Sequence, residues 1–465
     1  MKSIGKLKTL TSDMIDRSAV SIGFECLDRE LFTPEKCYDK LAATGVKYAR
    51  CQTGWIRCEK QKGVYTFEWL DSVVDNLLSR GIQPWLDVSF GNPVYMNDMP
   101  NETAVGCVPI YYGEECLEAW KNFVREVAKR YKGKVTYYEI WNECDIKCFW
   151  YPSEPSGKEL ARFVSLTGKV IKEVDPSAKI GTCAAGAATV FLRELFENLK
   201  PEELDFYNYH SYAKIPEKQN NDRVPATRWL LDHTGHENCE LLNGECGHGS
   251  WYPDGHHLKP KDGNADEFQQ SVWILRRYMA DRMIGIKATS LFQTVDMWEK
   301  VYKTATYEAK RPAADGILRG ITYEPKESYY AYSNLCTLLS GELVNTDGFF
   351  TIDIGNPHTQ SENTLEALAI RKFVLERNDR PMYIYWLPTD VEKARRDYFT
   401  TCATAKLGLF DVEEPIKHPV IINTLTGEVF KSENLTNDGF EIVIKDLPLA
   451  EYPLVICDGD VFGIE

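Results

Sequence analysis

Over the first 340 residues, short runs of apolar side chains alternate with longer stretches in which apolar residues recur every three or four positions. A short apolar run reads as a strand buried on both faces, and the longer spacing as a helix with one apolar stripe. Phe67, Leu70, Val73, Val74, Leu77 and Leu78 show the helical spacing most plainly. The pattern predicts strands at 19–24, 46–50, 84–88, 135–140, 178–181, 204–209, 239–243 and 288–294. Between and after them it predicts helices at 34–44, 67–80, 115–131, 158–174, 189–199, 224–232, 266–284 and 327–339. Thr33 is positioned to cap the first, while Gly81, Gly133 and Asp175-Pro176 end three of the others.

Strand and helix in strict alternation predict parallel strands closed into a (β/α)8 TIM barrel, residues 1–340. Polar clusters fall where each strand hands over to its helix, the face on which such barrels carry their chemistry. After residue 340 the helical spacing disappears. Short runs at 348–354, 364–375, 381–387, 420–423, 428–430, 439–444 and 452–457, separated by turn residues, predict a C-terminal antiparallel β-sandwich over 341–465. A strand drawn from residues 3–10 is expected to join it. There is no internal repeat and no low-complexity linker.

Composition narrows this picture. The length of 465 residues suits a barrel plus a second domain, and 43% hydrophobic residues exclude a disordered chain. A formal charge of -15 argues against nucleic acid or an anionic membrane as partner. No run reaches membrane-spanning length, and the first residues hold charges without an apolar signal core. The 14 cysteines then read as free thiols in a reducing, cytoplasmic setting. Homo-oligomer formation is left open.

The stretch 137–150, YYEIWNECDIKCFW, organises the chemistry. A buried run that stops at Trp141-Asn142-Glu143 delivers an amide and a carboxyl to the mouth of a pocket. Half desolvated by Trp141, Glu143 is placed to hold its proton to a higher pH than a surface glutamate and to protonate a leaving oxygen. Asn142 is a donor for a ligand hydroxyl, or equally a strand-end cap of the next turn beside a solvated Glu143. Glu245, in the segment GECGHG at the end of the predicted seventh strand, is the second carboxylate. Strands four and seven face each other across a barrel mouth, so the pair would flank a glycosidic bond, one protonating and the other attacking the anomeric carbon or activating water. Glu240 enters from the opposite end and is rejected. Arg50, His210 and Tyr212 also fall at strand ends, where Arg50 and Tyr212 would keep Glu245 ionised.

Trp150, Trp251 and Trp298 are expected in top-face loops, as sugar-stacking walls or equally as loop clamps. Asn92 is a hydroxyl contact or equally a turn former. Cys144, Cys148, Cys246, His248, His256 and His257 match no common metal-binding spacing, so no metal is expected.

Several segments resemble clan A glycoside hydrolases, with family 39, the β-xylosidase-type enzymes, the nearest. These are GVKYARCQTGWIRCEKQKGVYTFEWLD and GIQPWLDVSFGNPVY between 45 and 95, IWNE followed by FW, VDPSAKIG, LDFYNYHSY, and GILRGITYEPKESYYAY. The resemblance covers most of 19–340 in order. It implies the barrel, retention of anomeric configuration, no cofactor and an accessory sandwich. It implies Glu143 as acid/base, Glu245 as nucleophile, and Asn142 on the sugar 2-hydroxyl. His210 and Tyr212 match the strand-six pair and Arg50 the strand-two arginine. Retention predicts carboxyl groups roughly 5 to 5.5 Å apart. Three positions depart from the pattern. Cys144 stands where proline is common, Cys246 where tryptophan follows the nucleophile, and Phe292 where strand eight usually ends in tryptophan. The sugar is therefore not carried over: xylose, galactose, glucose and arabinose stay open. A transglycosylase on the same site, or a sugar-binding barrel without catalysis, are the competing expectations.

Overall fold

The computed structural model describes residues 1–100, 102–186, 188–218, 223–251, 265–297, 303, 304, 306, 308, 313–354, 369–409 and 415–464. Eight parallel strands close into a barrel: Val20–Gly23, Tyr48–Gln52, Gln83–Val88, Tyr137–Ile140, Lys179–Ala184, Phe206–His210, Glu240–Cys246 and Thr289–Leu291. The last pairs with the first through Val20–Thr289, Ser21–Ser290 and Ile22–Leu291. The (β/α)8 expectation is borne out. The helix Glu68–Leu78 buries Leu70, Val73, Val74 and Leu77, the apolar stripe expected from the spacing. Gly157–Val174 starts at Ser156, whose side chain accepts from the Glu159 N–H at 3.4 Å.

Boundaries moved where local chemistry outweighs the apolar count. The first expected helix splits into a 3-10 turn, Pro34–Lys36, and a short helix, Tyr38–Ala43. Thr33 makes no side-chain cap; its own N–H donates to the Tyr323 hydroxyl at 2.8 Å. The second strand runs on through Cys51 and Gln52. The seventh continues to Cys246, so Glu245 sits inside the strand rather than past it.

The C-terminal region forms two antiparallel sheets. In the seven-stranded sheet, Lys2–Lys6 occupies one edge, followed by Glu428–Lys431, Pro419–Asn423, Leu454–Asp458, Arg380–Trp386, Arg371–Arg377 and Leu343–Thr346. The four-stranded sheet holds Phe350–Asp353, Phe399–Gly408, Glu441–Ala450 and Leu435–Asn437. Tyr383 and Tyr385 tie the sheets together, their hydroxyls donating to Gly408 O and Pro448 O, each at 2.9 Å. The sandwich architecture is borne out. Phe399–Gly408 and Leu435–Asn437 escaped the apolar pattern because threonine and asparagine dilute it. Part of the expected 364–375 strand lies outside the described residues.

The helix Glu267–Met283 is buried along nearly its whole length because the sandwich covers its outer face. Arg276 forms a two-pronged pair with Glu217, both contacts at 2.7 Å, and donates to Thr389 O at 2.7 Å. Trp386, from the sandwich, donates its Nε1–H to the same Glu217 at 2.7 Å. These bonds satisfy charges that would otherwise be costly to bury.

Candidate active site

The fourth strand ends at Ile140, and the chain then turns sharply: Trp141 and Glu143 adopt left-handed backbone angles, φ 69° and 46°. Such angles are unfavourable for these residues and persist only where surroundings hold them. Here the Trp141 indole does so. It is fully buried, donates to Phe149 O at 2.7 Å, and packs edge-on to Phe90, Trp120 and Phe163. The Glu143 N–H is received by Cys183 Sγ at 2.9 Å. The turn sends Asn142 and Glu143 in different directions. Asn142 Oδ1 accepts from Arg50 Nη2 at 2.9 Å, while Glu143 Oε1 meets His210 Nδ1 at 3.0 Å.

On the facing side, Glu245 Oε1 accepts the Tyr212 hydroxyl at 2.5 Å and Oε2 accepts Arg50 Nη1 at 3.2 Å. The His210 ring nitrogen that contacts Glu143 lies 3.5 Å from Glu245 Oε2. One oxygen of Glu143, one of Glu245 and a ring nitrogen of His210 all fall within 4.8 Å of one another. Parallel pairing of the sixth and seventh strands, with His210 opposite Glu245 after a register shift, brings the histidine between the two carboxylates. Both acids are nearly covered, with side chains 14% and 11% exposed.

Electrostatics follow from crowding. Burial pushes the Glu245 carboxyl up, against which His210 pulls down, Glu143's charge pushes up again, and Arg50 and Tyr212 pull down. Burial would depress His210, but the Glu245 and Glu143 carboxylates outweigh it and lift the imidazole to about 9. Arg50 is held charged well above its ordinary value, since Glu139, Glu25 and Asp87 offset its burial.

The structure brings Arg50, Asn142, Glu143, His210, Tyr212 and Glu245 to one mouth. Phe292 lies beside them, its ring edge-on to Tyr212 at 6.4 Å. Trp251 is 43% exposed. Two expected contacts must be corrected. Trp150 is fully buried, its Nε1–H bound to the Tyr111 hydroxyl at 3.1 Å and its ring packed on Phe163, so it clamps loops and has no open face for a sugar. Asn92 is also fully buried, its amide donating to Glu59 O at 2.8 Å and accepting the Val94 N–H at 3.0 Å, so it shapes the turn. Trp298, His256 and His257 lie outside the described residues. Cys246 Sγ donates to Ser290 O and Cys144 Sγ lies against the Thr182 hydroxyl. Glu240 stands at the other end of the barrel, lining a cavity of about 500 Å³ there.

Sequence reasoning missed three carboxylates at the centre. Glu139 grips Arg50 with both oxygens, at 2.8 and 2.9 Å; Glu25 lies 2.9 Å and Asp87 3.5 Å from the same guanidinium. Acids inside otherwise apolar strand patterns, YYEI and PWLDV, were the available signal.

Residues 33–223 match the model of glycosyl hydrolases family 39, which bears out the resemblance read from the sequence motifs. A β-xylosidase of Geobacillus stearothermophilus is 25% identical over 179 residues, 34% of this chain and 33% of that protein. One from Caldicellulosiruptor saccharolyticus is 26% identical over 201 residues, 38% of each. The matched segment thus spans little more than a third of those relatives. A family 39 glycoside hydrolase of the gut symbiont Bacteroides cellulosilyticus WH2 shares the fold, with a TM-score of 0.65 and 15% identity over 95% of this chain and 80% of that one.

Proposed function

We propose, from the premise of that family 39 match, that this chain is a retaining β-glycosidase acting on small oligosaccharides or glycosides. Glu143 serves as acid/base and Glu245 as nucleophile. One observation carries the reading: carboxylate oxygens of the two acids lie within 4.8 Å, and each side chain keeps a small exposed fraction. That spacing suits direct attack by one carboxylate, whereas inversion needs roughly 6.5 to 9.5 Å to admit a water. The surroundings divide the roles. Glu245 receives a tyrosine hydroxyl and an arginine, donors that favour its ionised form against its burial, while Glu143 has neither and faces His210. In the first step Glu245 attacks the anomeric carbon as Glu143 gives its proton to the leaving oxygen. In the second, Glu143 takes a proton from water as the water displaces Glu245. Asn142, its oxygen turned to Arg50, has its amide hydrogens left for the 2-hydroxyl.

The sugar proposed is neutral. Among the described residues every donor edge of Arg50 is already engaged and His210 is held between Glu143 and Glu245, so a sugar carboxylate would find no cation there to receive it. Catalysis is assigned to residues 1–340 and an accessory role to 341–465. Every cysteine described is a free thiol, all but Cys148 buried, in keeping with a proposed cytoplasmic setting. Among the described residues no helix is long and apolar enough to cross a membrane.

The test is turnover of a panel of aryl β-glycosides by wild type, E143Q and E245Q, with the first-formed anomer read by NMR. Each variant is expected to lose about three orders of magnitude or more in kcat, and azide to restore part of the activity of Glu143→Ala. Near-normal turnover in either glutamine variant, or an inverted product, overturns the reading.

A further inference from the structure

We propose that Glu25, just past the end of the first barrel strand, is a positioning residue that holds the Nη1 edge of Arg50 and thereby aims that nitrogen at Glu245. This rests on the glycosidase reading of the mouth. Glu25 is 1% exposed, and its Oε1 lies 2.9 Å from Arg50 Nη1, the same nitrogen that stands 3.2 Å from Glu245 Oε2. The other edges of the guanidinium are pinned by Glu139 through Nε and Nη2 and by Asn142 through Nη2. Arg50 therefore couples the two sides of the site, and Glu25 is the counterweight on the nucleophile's side. The backbone makes room for it: a Cβ on Gly23 would come within 3.0 Å of Glu25 Oε1.

The charge count explains how this counterweight works. Four carboxylates, Glu25, Asp87, Glu139 and Glu245, stand within 3.5 Å of one guanidinium. They cannot all ionise together. Facing Glu25 are Arg50 from the second strand, His210 from the sixth and Glu245 from the seventh, with the thiols of Cys26 and Cys51 alongside. Burial lifts Glu25 to about 8, against the pull of Arg50 and with Glu245's charge adding to the rise, so it holds its proton at neutral pH. When Glu245 bonds to the anomeric carbon, the bond to the aglycone breaks and Glu143's proton leaves with the aglycone oxygen. Glu245 is then an uncharged ester. With that charge gone, Glu25 and Glu139 keep the Nη1 and Nε edges of Arg50 in place. Attack of water on the ester, its proton passing to Glu143, returns Glu143 and Glu245 to their starting states.

The readout that separates this from a packing role is titration. In protein labelled with 13C at glutamate carboxyls, the resonance lost in E25Q is expected to titrate near pH 8 in wild type. In E245Q, which removes the neighbouring charge, it should titrate at least one pH unit lower. A midpoint in the ordinary carboxylate range in wild type, or the same midpoint in both proteins, overturns the proposal. Kinetically, Glu25→Ala should lower kcat tenfold or more while KM changes less than threefold, and Glu25→Gln, which keeps an acceptor oxygen for Arg50, should recover most of that loss at pH 6. Equal losses in the two variants also overturn it. Should Glu25→Ala fail to fold, the wild-type and E245Q titrations decide alone. If E143Q and E245Q keep full turnover, the glycosidase reading falls, and the titrations still report whether Glu25 and Glu245 are coupled.

Discussion

His210 is the residue on which the pH behaviour of the fold turns. Its imidazole titrates near 9 in the folded chain, against ~6.5 when unfolded. The raised value means the folded state binds the extra proton, so this stabilisation is full below ~6.5 and is lost as pH climbs through about 9. Glu25 and Asp87, lifted by burial to about 8 and about 7, act in the same sense, because between ~4 and those values the folded state holds protons that the unfolded chain has released. Carboxyls held below their usual range, among them Glu217, whose burial is outweighed by Arg276, gain their stabilisation at lower pH and are flat above neutrality. The melting temperature should therefore fall from pH 6 to pH 9. His210→Asn should make the fall between 6.5 and 9 shallower, leaving the share of Glu25 and Asp87, as read by thermal melts at half-unit pH steps. An unchanged slope would show that the imidazolium carries none of it.

At the scale of single elements, the barrel strands tolerate little change on their inner face. A Cβ at Gly181, in the fifth strand, would stand 2.1 Å from the ring of Phe206 on the sixth. That ring cannot yield, since Trp85 and Tyr137 pack edge-on against it at 5.7 and 5.6 Å. Gly181→Ala is expected to cost about 1–3 kcal/mol by overpacking, measured as a drop in the urea midpoint. The long helix Glu267–Met283 begins with a reciprocal cap in which Asp266 accepts the Gln269 N–H at 2.7 Å and Gln269 accepts the Asp266 N–H at 3.1 Å. Asp266→Ala should cost about 1 kcal/mol. Because this helix lies under the sandwich, the loss should appear in the global unfolding transition rather than as local fraying.

For the whole molecule, the decisive contact is Glu217 between Arg276 and Trp386. It joins a turn beneath the sixth strand's loop, the long helix and the sandwich in one buried cluster. Removing the carboxylate leaves Arg276, fully buried, without its counter-ion. Glu217→Ala should therefore cost about 3–5 kcal/mol. Barrel and sandwich are expected to lose stability together, a single unfolding step seen by both near-UV circular dichroism and tryptophan fluorescence. Separate transitions for the two regions would mean that this junction does not couple them.

The sequence by itself determined the alternation of strand and helix, the change to short antiparallel strands after residue 340, and the placement of Glu143, Glu245, Arg50, His210 and Tyr212 in or just past the C-terminal halves of barrel strands. Those features depend on local spacing, and spacing is written directly in the chain. Only the tertiary structure decided which polar groups share Arg50, because Glu25 from just past the first strand, Asp87 from the third and Glu139 from the fourth reach it once the ring closes. It also decided that Trp150 and Asn92 turn into the protein. A barrel strand is buried on both faces and a loop has no period, so apolar spacing says that a side chain is covered without saying by what. Direction is set by the neighbours that closure brings within a few ångströms, and those neighbours lie far apart in sequence.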